Sequence, residues 1–121
     1  MSDLILTQQR DHLFEISLNR PEKRNAISLA MLRQFDAAVA QANRTPGLRA
    51  VVVRGEGSVF SAGIDVSALL GLAETYGPHW QQRMRAITDE FQSVLTRLER
   101  LELPTIALLH GHCLGLALEL A

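Results

Sequence analysis

The chain has one cysteine, one tryptophan and one tyrosine among its 121 residues, and no run of apolar side chains long enough to cross a bilayer. Each shortage excludes something. A lone Cys113 cannot close an internal disulfide, so a reducing compartment is the matching expectation and redox chemistry is not indicated. A spanning helix needs about 18 to 20 apolar residues, and Met1-Ser2-Asp3-Leu4 has neither the basic start nor the apolar centre of a signal peptide. A cytoplasmic protein without a membrane partner is expected. Twelve basic side chains against thirteen acidic ones, net charge −1, give no basic field, and nucleic acid is not an expected partner. Any charged ligand must be met by local groups.

What is present is an ordinary globular balance, 47% hydrophobic and 21% charged, in a length that suits one domain at most. Leu4 to Thr7 and His12 to Leu18 read as two strands joined by a turn at Gln8-Gln9-Arg10-Asp11, with Phe14, Ile16 and Leu18 alternating on one face. Asn19 to Asn25 is a loop, five of its seven residues being charged or proline. Ser28 is a good N-cap for an amphipathic helix carrying Leu29, Leu32, Phe35, Val39 and Ala42, which ends before Thr45-Pro46-Gly47. Ala50 to Val53 is apolar and β-branched without alternation, which predicts a strand covered on both faces. A long helix starts at Pro78, carries Trp80, Met84, Ile87, Phe91, Val94, Leu95, Leu98 and Leu101 on one stripe, and stops at Pro104. Thr105 to Leu109 then reads as another buried strand, and a last helix begins after Gly115.

Two glycine-containing junctions follow strands: Phe60-Ser61-Ala62-Gly63-Ile64-Asp65 and His110-Gly111-His112-Cys113-Leu114-Gly115-Leu116. If neighbouring parallel strands end together, both open on one edge of the sheet and aim backbone N–H groups into one cleft. Two such groups directed at one oxygen make an oxyanion hole, though glycine after a strand is commonly only a turn.

Taken with Leu18-Asn19-Arg20-Pro21-Glu22-Lys23-Arg24-Asn25-Ala26-Ile27 and Pro104-Thr105-Ile106-Ala107, these junctions give a pattern that resembles the crotonase superfamily of enoyl-CoA hydratases and isomerases. The blocks stand in the family's order across essentially the whole chain, as in the N-terminal half of a family member. The resemblance implies an α/β fold, a crotonase-like spiral of β-β-α turns incomplete at the C-terminus, with residues 1–121 as the N-terminal part of a single acyl-CoA-binding domain. It also implies an enolate-stabilising reaction on an acyl-CoA thioester, no cofactor besides the coenzyme A of the substrate, and a homotrimer or hexamer. Carried over by position, the oxyanion donors would be the N–H groups of Ile64 and Leu116, and Glu119 falls where hydratases have one of two catalytic glutamates. Arg24, Ala26, Ala62, Ile64, Asp65, Val66, Gly115 and Leu116 would contact the substrate.

The chain departs from the family's three-glycine run, having Gly115-Leu116-Ala117, so side chains crowd a place where acyl-CoA passes close to backbone. The position of Glu119 is usually aspartate in the dienoyl-CoA isomerases, which the Phe60-to-Asp65 block also resembles. Plainer roles stand beside these. Glu119 would favour a helix dipole, Asp65 would cap a helix over Ser67 to Leu72, and Arg20, Lys23 and Arg24 would be either solvated or phosphate contacts. His110, His112 and Cys113 are too few for a zinc site, and the Trp80-to-Leu101 stripe reads as packing. A chain ending in Leu116-Ala117-Leu118-Glu119-Leu120-Ala121 exposes an apolar face, and these residues alone are expected to aggregate or pack loosely.

Overall fold

Alternating apolar residues form the first hairpin. In the computed structural model, which describes residues 3–111 and 113, β1 (Ile5–Arg10) pairs antiparallel with β2 (Leu13–Leu18), Ile5 opposite Leu18 and Arg10 opposite Leu13. The turn is tighter than the expected Gln8-Gln9-Arg10-Asp11. Gln8, Gln9 and Arg10 stay in the ladder, and Asp11 reverses the chain at φ 51°, a left-handed conformation that aspartate tolerates better than most residues.

Strand β3 (Ala50–Gly55) lies parallel to β2, and β4 (Thr105–Ala107) lies parallel to β3, giving one sheet in the order β1-β2-β3-β4. Parallel neighbours need a crossover. Helix α1 (Leu29–Arg44) makes the first, and α2 (Val66–Tyr76) with α3 (Trp80–Glu99) makes the second. Helix α1 begins where the sequence places it, the Ser28 hydroxyl accepting the Met31 N–H at 3.2 Å. Register puts Phe14 beside Val51 and Ile16 beside Val53, and this face packs with Met31, Leu32, Phe35 and Val39 of α1 and with Ile87, Phe91, Val94 and Leu98 of α3 in one core. Val52, on the opposite face, is also buried, as a strand covered on both sides requires.

Two expectations need correction. Pro78 lies in a short 3₁₀ turn, Gly77–His79, ahead of α3, and Trp80 is 38% exposed instead of joining the buried stripe. Trp80 is the first residue of α3, next to that turn, and the buried stripe of the helix begins at Ile87. The strand predicted over residues 105–109 pairs only at Thr105–Ala107, and Ile106, Leu108 and Leu109 are about half exposed. Among the described residues strand β4 is the last in the sheet, with a neighbour on one side only, and Ile106 shares a face with Val52, away from the core helices.

Two bidentate ion pairs clamp α1 to α3. Arg33 grips Glu90 at 2.8 and 3.2 Å, and Arg97 grips Asp36 at 2.7 and 2.8 Å. The hydrogen bond from Arg33 holds the Glu90 carboxyl below its usual 4.5, outweighing desolvation. A carboxyl depressed in the folded state takes up its proton more readily when unfolded. Its contribution is therefore complete above pH 4.5 and is lost as pH falls through the lower folded value. Glu90→Gln should lower the urea midpoint slightly at neutral pH and flatten part of the acid-induced decline. An acid limb identical to that of the unsubstituted protein would show that the clamp has no net effect.

Candidate active site

The loop after β2 is organised around one buried amide. After the 3₁₀ turn Pro21–Lys23, both Arg24 (φ 52°) and Asn25 (φ 53°) are left-handed. That conformation costs a non-glycine residue roughly 1–2 kcal/mol. Asn25, with no exposed surface, offsets it: its Oδ1 accepts the Arg20 N–H at 2.7 Å, and its Nδ2 faces the carbonyls of Glu56, Val59 and Phe60 at 2.8, 3.1 and 3.0 Å. The amide has only one sensible orientation, because three acceptors surround the nitrogen and a donor meets the oxygen. Gly55 makes room for it, since a Cβ there would sit 2.9 Å from Asn25 Nδ2 and 2.5 Å from the Phe60 carbonyl oxygen.

A second set of pairings runs beyond the strand ends. Ala62 N–H donates to Arg24 O at 2.9 Å, Ile27 N–H to Gly63 O at 2.7 Å, and Asp65 N–H to Ile27 O at 2.9 Å, so the Arg24-to-Ile27 and Ala62-to-Asp65 segments lie side by side. The second glycine junction joins them. Ser61 bridges to Cys113, Phe60 N–H donates to His110 O at 2.7 Å, and His110 Nε2 lies 3.0 Å from the Gly57 carbonyl. Gly111, at φ 60°, packs so tightly that a Cβ would meet Ser58 O at 2.5 Å. The two junctions thus meet at one edge, as their sequence suggests.

Within this cluster Ile64 is half-buried, and no acceptor among the described residues takes its N–H. Asp65 caps α2, its Oδ1 accepting the N–H and the hydroxyl of Ser67 at 3.1 and 2.6 Å, while its Oδ2 pairs with Arg20 at 2.7 Å. Arg20 also donates from the same Nη1 to the Ala26 carbonyl at 3.1 Å, which ties that nitrogen inside the loop. The Arg24 side chain is exposed, Ala62 is half-buried, and Val66 opens α2. Gly115, Leu116 and Glu119 lie outside the described residues. Asn25 and Ser61 lie in motif blocks of the sequence, Asn25 in the loop Arg24-Asn25-Ala26 that the resemblance makes a coenzyme A contact, but the bonds their side chains make were not foreseen. The only available signal was an asparagine ending a charged loop and a small hydroxyl inside an apolar stretch.

Two clefts open among the described residues, one apart from this cluster and one at its margin. One of about 350 Å³ sits between α1 and α3 beside Asp36, Asn43 and Arg97, and one of about 320 Å³ sits at the ends of β3 and β4 beside Arg54, Leu108 and His110. Neither is lined by Ile64.

A largely parallel sheet with helical crossovers and loops pinned together at the strand ends is an α/β architecture whose ligands bind at those ends. The chain belongs to the enoyl-CoA hydratase/isomerase family, whose sequence profile matches residues 13–120. It is 32% identical over 119 residues to a mitochondrial Delta(3,5)-Delta(2,4)-dienoyl-CoA isomerase of Mus musculus, covering 95% of this chain and 36% of that protein. In structure it is similar to an enoyl-CoA hydratase/isomerase from Xanthobacter autotrophicus, with TM-score 0.87, 32% identity, and coverage of 99% of this chain and 43% of that one. An enoyl-CoA hydratase from Bacillus anthracis gives TM-score 0.85 and 29% identity, covering 97% and 43%. The fold is therefore the crotonase fold expected from the sequence, and the chain spans less than half the length of each of these relatives.

The loop network carries its own test. Asn25→Asp preserves shape but turns a carboxylate toward three carbonyls, and should cost about 3 kcal/mol in urea unfolding, comparable to Asn25→Ala. An aspartate variant as stable as the unsubstituted protein would show that the Nδ2 bonds do not hold the loops.

Proposed function

We propose that this chain is the carbonyl-polarising part of an acyl-CoA enzyme, a hydratase or double-bond isomerase acting through a thioester enolate. The observation that carries the reading is the Ile64 N–H, unpaired among the described residues at the meeting point of the loops. Removing or adding a proton beside a thioester carbonyl builds negative charge on its oxygen. A donor already aimed at that oxygen needs no rearrangement as the charge grows, and losing one such donor raises a barrier by roughly 3–4 kcal/mol.

In this reading Leu116 N–H is the second donor, and the coenzyme A portion runs along Arg24, Ala26, Ala62, Asp65, Val66 and Gly115. Glu119 moves a proton or holds a water. Coenzyme A enters as part of the substrate, no other cofactor is needed, and the assembly is a cytoplasmic trimer or hexamer. The identity to a dienoyl-CoA isomerase and the likeness to hydratases support both reaction types.

The protein carrying this chain should bind acyl-CoA, measured by calorimetry, and Glu119→Gln should lower kcat by about 10²–10⁴ while changing KM far less. Absence of any acyl-CoA binding would sink the proposal, and unchanged turnover in the variant would remove Glu119 from the chemistry. A second reading, an acyl-CoA-binding member without turnover, is favoured by Gly115-Leu116-Ala117 in place of a glycine run. Tight binding with no turnover of any enoyl-CoA would select it.

A further inference from the structure

The Ile64 N–H owes its direction to neighbours that do not themselves present a free donor, and we infer that Ser61, backed by Asn25, is the positioning residue of the proposed oxyanion hole. This rests on the reading of Ile64 as a donor to the thioester oxygen. Ser61 is fully buried, and its hydroxyl is used twice: Oγ donates to the Asn25 carbonyl at 2.7 Å and accepts the Gly63 N–H at 3.1 Å. One small side chain thereby removes the N–H immediately before Ile64 from competition for the same ligand oxygen.

Gly63 sits at φ 96°, a conformation L side chains rarely adopt, and glycine's freedom would let the following peptide rotate. Both of its polar groups are tied. The N–H is held by Ser61 Oγ, and the carbonyl accepts the Ile27 N–H at 2.7 Å. In a trans peptide the C=O and the next N–H point in opposite directions. Fixing the Gly63 carbonyl on Ile27 therefore turns the Ile64 N–H away from Ile27, and no acceptor among the described residues takes it. Asn25 holds the pin from behind: its carbonyl receives the Ser61 proton, and its Nδ2 fixes the Phe60 carbonyl one residue earlier, at 3.0 Å.

The test uses the full protein and a conjugated aryl-enoyl thioester of coenzyme A, whose absorbance moves to longer wavelength when its carbonyl is polarised. Ser61→Ala should lose much of that shift and lower kcat about tenfold or more, with Kd changed less than about threefold, and Ser61→Thr, which keeps the hydroxyl, should recover both. In the unliganded protein, Gly63 amide exchange should be slow and become fast in Ser61→Ala. A full shift in a folded Ser61→Ala variant would overturn the inference, as would a kcat loss matched by an equal loss of binding. Should that variant fail to fold, Ser61→Cys, whose sulfur is the weaker partner, takes its place, and a shift equal to that of the unsubstituted protein would be equally fatal. If the unsubstituted protein binds the probe with no shift at all, the reading of Ile64 as a donor fails first, which separates the two ideas.

Discussion

The loops at the carboxyl ends of the strands depend on the buried Asn25 amide. Three loops leave the sheet there, and loops carry many backbone groups that no ladder satisfies. The amide answers that demand with one acceptor bond to the loop after β2 and close approaches to three carbonyls of the loop after β3. Because it is wholly enclosed, these interactions form where water cannot compete, and their loss would leave several buried groups without partners at once. The left-handed backbone at Arg24 and Asn25 is tolerated for the same reason. A loop strained at two successive residues is held by a side chain belonging to one of them.

The sheet and the helices serve this edge by fixing where the loops begin. Parallel pairing of β2, β3 and β4 places their carboxyl ends together, and the core between the sheet and α1 and α3 keeps that alignment rigid. Ion pairs between α1 and α3 lie on the solvent side of that core and contribute less, as exposed pairs do. Burial sets the frame, and hydrogen bonds set the site. The division is physical: apolar packing is undirected and tolerates small displacements, whereas an N–H aimed at one oxygen does not.

Much of the frame was legible in the sequence, because periodicity and capping are local. Phe14, Ile16 and Leu18 alternate, Ser28 caps α1, and Ala50 to Val53 is apolar on both faces; each became the element its pattern implied. The failures came where burial depends on a neighbour. Trp80 belongs to a helical stripe yet opens α3 beside the 3₁₀ turn and is exposed, and Ile106, Leu108 and Leu109 form an apolar run in and after the last described strand. Composition does not record which strand is outermost. For the site, the glycine junctions and Asp65 as a cap could be read directly, whereas the Arg20–Asp65 ion pair joins residues 45 positions apart and has no local signature.

The same contrast explains why the candidate site is written in small residues. A main-chain donor asks nothing of its own side chain, so isoleucine at position 64 says little about the reaction. What must be specified is the path of the backbone, through a glycine at 63 that accepts φ 96°, a hydroxyl at 61 that reaches two backbone groups, and a glycine at 55 that lets the Asn25 amide approach. In this proposal none of these side chains touches the reacting atoms. The chemistry proposed for Ile64 would therefore be carried by residues whose substitutions look conservative: an alanine at 55 adds only a methyl group, yet it would collide with the Phe60 carbonyl on which Asn25 depends. In such a site, the side chains that seem to do least constrain the reacting geometry most.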